Sequence, residues 1–237
     1  MPDAPGKDCT THNRPRIVTI DGPAGVGKST LAKRVAQALG VPFMDTGAMF
    51  RAIGVKALAV PEAAAALAKG DGKAMLAAIG PLAFSMQGAG AATVLLCNGQ
   101  ALGEEIRSEQ VGMTAARIAT MPAVRDFLKL AQQDMGAATA LVAEGRDMGT
   151  VVFPAARHKI FLDANAEERA RRRYLQLGEA GQAPVFEKLV QDMKARDEQD
   201  RNRAVAPLRP ADDAFIIDTS HIDLDGVFEA IMREVAE

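Results

Sequence analysis

Directly after the apolar run Ile17-Val18-Thr19-Ile20 the chain reads Gly22-Pro23-Ala24-Gly25-Val26-Gly27-Lys28-Ser29-Thr30, which fits G-x-x-x-x-G-K-[ST] from Gly22 to Ser29. Strand, glycine loop and helix in that order leave the chain little freedom. Gly22, Gly25 and Gly27 let backbone N–H groups turn inward on an anion with no Cβ in the way. The helix that follows, with Leu31, Val35 and Leu39 on one face and Gly40 at its end, points the positive end of its dipole at the same spot. The pattern therefore predicts a bound triphosphate, with Lys28 reaching its β- and γ-phosphates and the Ser29 hydroxyl facing Mg²⁺.

Beyond the loop, apolar runs at 17–20, 41–44, 140–143, 159–162 and 214–217 alternate with helical patterns. That alternation predicts a parallel sheet covered by helices on both faces. Right-handed crossovers bring the strand ends to one edge, so the residues after each strand are candidates for the site: Asp21, Asp45-Thr46-Gly47, Glu144-Gly145-Arg146-Asp147 and Asp163. With 28 basic against 30 acidic side chains the formal charge is −2, so a nucleic-acid polymer or a membrane surface is not an expected partner. Any basic cluster must serve a small anion. No apolar run approaches a membrane span. Residues 1–15 carry Pro2, Pro5, Gly6 and Pro15 but no apolar core of a signal peptide, so they read as a flexible tail and the expected location is cytoplasmic. Cys9 and Cys97 are the only cysteines, which leaves no cysteine zinc cluster and makes Cys97 a small core hydrophobe. His12, His158 and His221 are scattered and read as surface or strand-end residues.

Two parts break the alternation. Residues 61–107 pass from an alanine-rich helical stretch to Leu82–Met86 and Thr93–Cys97, with Asn98-Gly99 as a hairpin signal. This reads as a small insertion of helices and antiparallel strands that shapes a substrate pocket or merely decorates the fold. Two helices follow from about Ser108 to Met135, the second opening at Pro122. The other part is rich in arginine: Arg169, Arg171, Arg172 and Arg173 on a helix capped by Asn165, a loop from Gly178 to Pro184 whose glycines serve as hinges, then a helix with Arg196, Asp200 and Arg203 at i, i+4 and i+7. Asp197 and Arg201 are expected to pair on the neighbouring face. A carboxylate between two guanidiniums suits a sugar and its phosphate, although a solvated face of helix ion pairs has the same pattern.

With Ile20–Gly25 and Lys28, the stretches Met44–Arg51, Gly145–Val152 and Arg196–Pro207 make the chain resemble the bacterial-type cytidylate kinases, nucleoside monophosphate kinases of the P-loop class, over residues 16–236. The resemblance implies a three-layer α/β fold with a five-stranded parallel sheet. It divides the chain into a core of 16–60 and 108–237, a CMP-binding insertion at 61–107 and a short lid at about 165–185. It implies transfer of the γ-phosphoryl of ATP to CMP or dCMP, with Mg²⁺, by a monomer. Carried over residue by residue, Gly22 to Thr30 (Gly22, Pro23, Ala24, Gly25, Val26, Gly27, Lys28, Ser29, Thr30) hold ATP, and Ser29 the metal. Arg51 and Arg146 fall to the acceptor phosphate, Arg125 and Asp147 to cytosine, Arg196, Asp200 and Arg203 to ribose, base or phosphate, and Thr46 to the substrate site without a more particular role. Arg169 with Arg172 or Arg173 belongs to the lid, and Lys28, Arg146, Arg196 and Arg203 stabilise the charge of transfer. Glu144 is a candidate for a water of the Mg²⁺ shell.

The chain departs from the family pattern at Ala116, where relatives often carry a serine thought to touch the base, and at Phe50, where tyrosine is frequent. Thr114 or Thr120 replaces the lost hydroxyl only if the helix is rotated or shifted. A GTP-dependent switch would carry N-K-x-D, which is absent. Within the kinases, UMP, AMP or shikimate remain as alternative acceptors.

Overall fold

A computed structural model describes residues 16–236, so the expected tail with Cys9 and His12 lies outside the described residues. The strands are β1 (Ile17–Asp21), β2 (Phe43–Asp45), β3 (Phe84–Gln87), β4 (Val94–Cys97), β5 (Gln100–Ala101), β6 (Leu141–Gly145), β7 (His158–Asp163) and β8 (Phe215–Asp218). The helices are α1 (Lys28–Leu39), α2 (Thr46–Ala59), α3 (Pro61–Lys69), α4 (Gly72–Ile79), α5 (Glu109–Ile118), α6 (Pro122–Ala138), α7 (Ala166–Glu179), α8 (Phe186–Asn202) and α9 (Leu224–Ala236). Five strands form one parallel sheet in the order β2-β6-β1-β7-β8.

Both faces of that sheet are covered, and the side-chain period of two sorts residues between them. On β6, Leu141 and Ala143 join Met44, Met49, Ile53 and Leu128 in one core, while Val142 joins Val18, Ile20, Leu31, Val35 and Ile231 in the other. Hence α2 and α6 pack on one face and α1 and α9 on the opposite one. Each fully buried Ile, Leu or Val contributes about 1.5–3 kcal/mol, so the two layers hold the strand ends in a common edge.

The insertion is fastened to this frame. Ala63, Leu67 and Met75 of α3 and α4 are buried in the same core as α2 and α6. Strands β3, β4 and β5 form an antiparallel sheet, and Asn98 (φ 52°) with Gly99 (φ 76°) supplies the left-handed pair that a two-residue hairpin needs between Cys97 and Gln100. The segment also covers the outer edge of β2: the Phe43 N–H donates to Thr93 Oγ1 at 3.0 Å and the Gly90 N–H to the Val41 carbonyl at 2.8 Å.

In the arginine-rich part, Asn165 caps α7 as expected, accepting from the Glu168 N–H at 2.7 Å. Helix α7 runs through Gly178 to Glu179, so only Gly181 (φ 75°) is a turn glycine. Arg203 is the residue that ends α8, not a member of its last turn. The expected pair of Asp197 with Arg201 does not form. Asp197 lies on the buried side of α8 and meets Arg169 of α7, while Arg201 reaches Asp163 at 3.8 Å. Spacing along a helix names neighbours on its surface, but a carboxylate removed from water is taken by the cation that shares its burial.

Candidate active site

The glycine loop leaves β1 at a point with no room for a side chain: a Cβ on Gly22 (φ 147°) would lie 2.1 Å from the Leu162 carbonyl oxygen of β7. Gly27 (φ 94°) then starts α1. Lys28 is buried in the first turn and donates to the Pro23 carbonyl at 2.7 Å. Burial first, and the charge of Arg146 second, lower its pKa to about 7 against the pull of Glu144 and Asp21. The Ser29 hydroxyl donates to Glu144 Oε1 at 2.7 Å, and the other Glu144 oxygen is buried with no hydrogen-bond partner among the described residues. Burial raises the Glu144 pKa, with the charge of Asp45 adding and Lys28 opposing.

A second group of side chains, facing the glycine loop across the strand edge, is assembled from distant elements. Asp45 caps α2 through the Ala48 N–H at 2.9 Å, and the Thr46 hydroxyl donates to the Glu144 carbonyl at 2.7 Å. Arg51, further along α2, donates to the Ile106 carbonyl at 3.0 Å. Arg125 of α6 is buried against Asp147, donates to the Ala119 carbonyl at 3.1 Å and lies 5.7 Å from the centre of the Phe50 ring. Arg203 stands 3.6 Å from the other Asp147 oxygen, and Arg146 Nε is 2.9 Å from Asp200. Burial, and then the charge of Arg146, lower the Arg196 pKa, with Arg51 adding to the effect. Guanidiniums this crowded favour an anion between them.

Asp21 ties the two sides together. Its carboxylate accepts from the Met148 N–H at 2.9 Å and the Gly149 N–H at 2.8 Å, at the start of a five-residue π-helical turn, Met148–Val152, that follows Asp147. Burial raises its pKa to about 6.

Of the cavities along the strand edge, two border the glycine loop. One, of about 670 Å³, is lined by Arg51, Arg125, Arg146, Asp147, Arg196 and Arg203. The other, of about 780 Å³, runs from the glycine loop to Arg172 and the segment after β8, including Thr219 and His221. Gly25, Lys28, Ser29 and Arg173 border both.

The expected lid arginines separate. Arg169 is fully buried and held by Asp197, Ala24 and Ala164, so it is not free to follow a transferred group. Arg172 donates to Thr219 at the far end of the second cavity, and exposed Arg173 stands where the cavities meet. Ala116 and Thr120 face the first cavity, the Thr120 hydroxyl donating to the Arg117 carbonyl at 2.8 Å. Thr114 is turned away onto the Gln110 carbonyl. His158 is buried on β7, 3.4 Å from Arg16, and stays outside both cavities.

A family model described as Cytidylate kinase matches residues 18–237. The chain belongs to the cytidylate kinase family. A cytidylate kinase of Oleidesulfovibrio alaskensis is 56% identical over 92% of this chain and 97% of its own length. One of Nitratidesulfovibrio vulgaris is 54% identical over 99% and 97%, and one of Vibrio cholerae 43% identical over 92% and 95%. In this family member the matched span runs from β1 to α9, so every element bordering the two cavities lies within it. Sequence reasoning missed Thr219 and Ser220 beside the glycine loop and read His221 only as a surface or strand-end residue, although all three follow β8 as the other candidates follow their strands. It also missed Ile106, whose carbonyl steadies Arg51.

Proposed function

We propose that this nucleoside monophosphate kinase transfers the γ-phosphoryl group of ATP to CMP or dCMP, giving ADP and CDP or dCDP. The observation that carries the reading is the pair of cavities sharing Gly25, Lys28, Ser29 and Arg173. One cavity takes the donor, the other the acceptor, and the shared border takes the transferred group.

An oxygen of the acceptor phosphate attacks the γ-phosphorus in line, the bond to the β–γ bridging oxygen breaks, and ADP leaves. No nucleophilic side chain is needed. The backbone N–H groups from Gly22 to Thr30 and Lys28 hold the donor phosphates; Arg51, Arg146 and Arg196 hold the acceptor phosphate, with Thr46 at its side. Asp147 accepts from the cytosine amino group, Arg125 and Arg203 hold its two carboxylate oxygens in place, and Asp200 faces the sugar. Arg173 follows the transferred group. The residues present suit Mg²⁺: Ser29 and the unpartnered Glu144 oxygen are hard oxygen donors, and no cluster of three or more His, Cys, Asp or Glu that could hold a metal occurs among the described residues. Phosphate oxygens and water complete such a shell. When bound, the ion neutralises charge on the phosphate oxygens.

Segment 61–107 serves as the acceptor-side insertion through its last turn, where Ile106 and Arg107 reach the cavity, and the lid of 165–185 acts through Arg173, which borders that cavity, while Arg169 stays anchored. The monomeric state rests on family resemblance, and the cytoplasmic location on the sequence reading. Among the described residues no helix is long and apolar enough to cross a membrane.

Steady-state turnover with ATP and Mg²⁺ against CMP, dCMP, UMP, AMP and shikimate tests the reading. CMP or dCMP should give the highest kcat/KM; a different best acceptor, or no turnover, would overturn it.

A further inference from the structure

Among the described residues the largest fully buried side chain is an arginine. Arg169 Nε donates to the Ala164 carbonyl at 2.9 Å, Nη1 to the Ala24 carbonyl at 2.9 Å and to Asp197 Oδ1 at 3.1 Å, and Nη2 to Asp197 Oδ2. A buried ion pair is poor evidence for a stabilising role, because well-packed apolar residues in its place are often neutral or better. What this pair does instead is gather three segments on one side chain: the start of α7, the middle of α8 and the glycine loop.

The contact with Ala24 is the informative one. In a trans peptide the C=O and the following N–H point in opposite directions. With the Ala24 carbonyl held by Arg169, the Gly25 N–H of the same peptide points away from that guanidinium, and Gly25 borders the cavity along the glycine loop, as Arg169 itself does. Reversing that plane would aim a carbonyl oxygen at a polyanion. Gly25 (φ 78°) lacks a side chain to hold its own orientation, and a Cβ there would sit 3.2 Å from Met193 Cε and 3.5 Å from Arg169 Cβ, so the loop tip rests on α7 and α8. Asp197 is one residue from Arg196, whose side lines the acceptor cavity, and three from Asp200.

We propose that Arg169, oriented by Asp197, is a positioning residue for the donor: it sets the Ala24–Gly25 peptide so that the Gly25 N–H meets the donor phosphates, and it ties that setting to the helix carrying Arg196 and Asp200. This rests on the reading that the glycine loop holds ATP. Arg169 touches no reacting atom.

Three variants test it, with a non-hydrolysable ATP analogue plus Mg²⁺ and CMP titrated separately by calorimetry, beside thermal melts and steady-state kinetics. Arg169→Lys keeps the charge but cannot span Ala24 and both Asp197 oxygens. Its donor affinity should fall roughly tenfold or more while CMP affinity stays within about threefold, since a charge-assisted hydrogen bond is replaced at one site only. Arg169→Met with Asp197→Leu replaces the pair by apolar volume; the folded protein should show the same selective donor loss. Asp197→Asn should weaken the donor less, and combined with Arg169→Lys it should add little, the mark of one shared path. Wild-type donor affinity in Arg169→Lys or in the apolar pair would overturn the proposal. So would equal loss for donor and CMP together with a lowered melting temperature, or an Arg169→Lys chain that fails to fold, because the arginine would then serve the fold as a whole. Wild-type protein that binds no ATP analogue sinks the functional reading instead, and that arm is read first.

Discussion

The two sides of the cleft that we assign to the donor and to the acceptor are built in different ways. On the donor side, one continuous stretch, Gly22 to Thr30, presents backbone N–H groups at every residue but Pro23, and a Cβ on Gly22 is forbidden by the Leu162 carbonyl. On the acceptor side, α2, α6, α8 and the turn after β6 each bring a charged side chain, and Asp147 and Asp200 separate the arginines. Main chain recognises any polyphosphate. A lattice of alternating charge recognises a shape and a base, and every member depends on its neighbours.

The largest expected effect breaks the donor side alone. Lys28→Ala should lower kcat by 10²-fold or more, because an electrostatic donor of this kind contributes about 3–4 kcal/mol to the barrier. A matched melt should show a folded protein, and near wild-type turnover would remove the lysine from transfer. The acceptor lattice answers to Asp147→Asn, which should lower the CMP to UMP ratio of kcat/KM by roughly ten- to a hundredfold. A carboxylate only accepts hydrogen bonds and so favours the cytosine amino group over the uracil carbonyl, whereas an amide tolerates both. Equal loss for both acceptors would reduce Asp147 to a brace for Arg125 and Arg203.

A smaller effect separates the sides by their protons. Lys28 has its pKa lowered to about 7 in the free protein, so at pH 8 it is mostly neutral, and incoming phosphate charge should restore the proton. Binding of the ATP analogue at pH 8 should take up roughly half a proton or more, fading below pH 6 where the lysine is already charged. Calorimetry in two buffers of different ionisation enthalpy reads this, and buffer-independent heats at pH 8 would contradict it. The smallest effect is a gain: Ala116→Ser adds a hydroxyl to the acceptor cavity and should lower the KM for CMP by about two- to tenfold, the worth of one neutral hydrogen bond. An unchanged KM would mean that residue 116 does not reach the base.

The same contrast governs what sequence alone discloses. The glycine loop, the five strands and the Asn165 cap are local patterns, and each was legible from residue spacing. Strand ends and helix spacing single out Arg146, Asp147, Arg196, Asp200 and Arg203, but Arg51 and Arg125 come only from the family resemblance, because Arg125 and Asp147, far apart in the chain, meet through tertiary packing. Asp197 was assigned to Arg201 because helix spacing ranks partners within a helix and is blind to a buried arginine arriving from α7. The family resemblance groups Arg169 with the lid arginines, and nothing in its local sequence distinguishes this buried guanidinium from its exposed neighbours Arg171 and Arg173.

The strand order has a consequence for how the protein is born. The central strand β1 pairs only with β6 and β7, through Ile17 with Leu141 and Val18 with His158. A ribosome therefore releases the glycine loop early, yet both ladder partners of its strand come from the second half of the chain. Until Leu141 and His158 have emerged, an apolar strand with two open edges has no native neighbour, the arrangement through which unpaired strands find wrong partners. Nucleotide affinity should accordingly appear in one step near the end of synthesis and not grow with chain length.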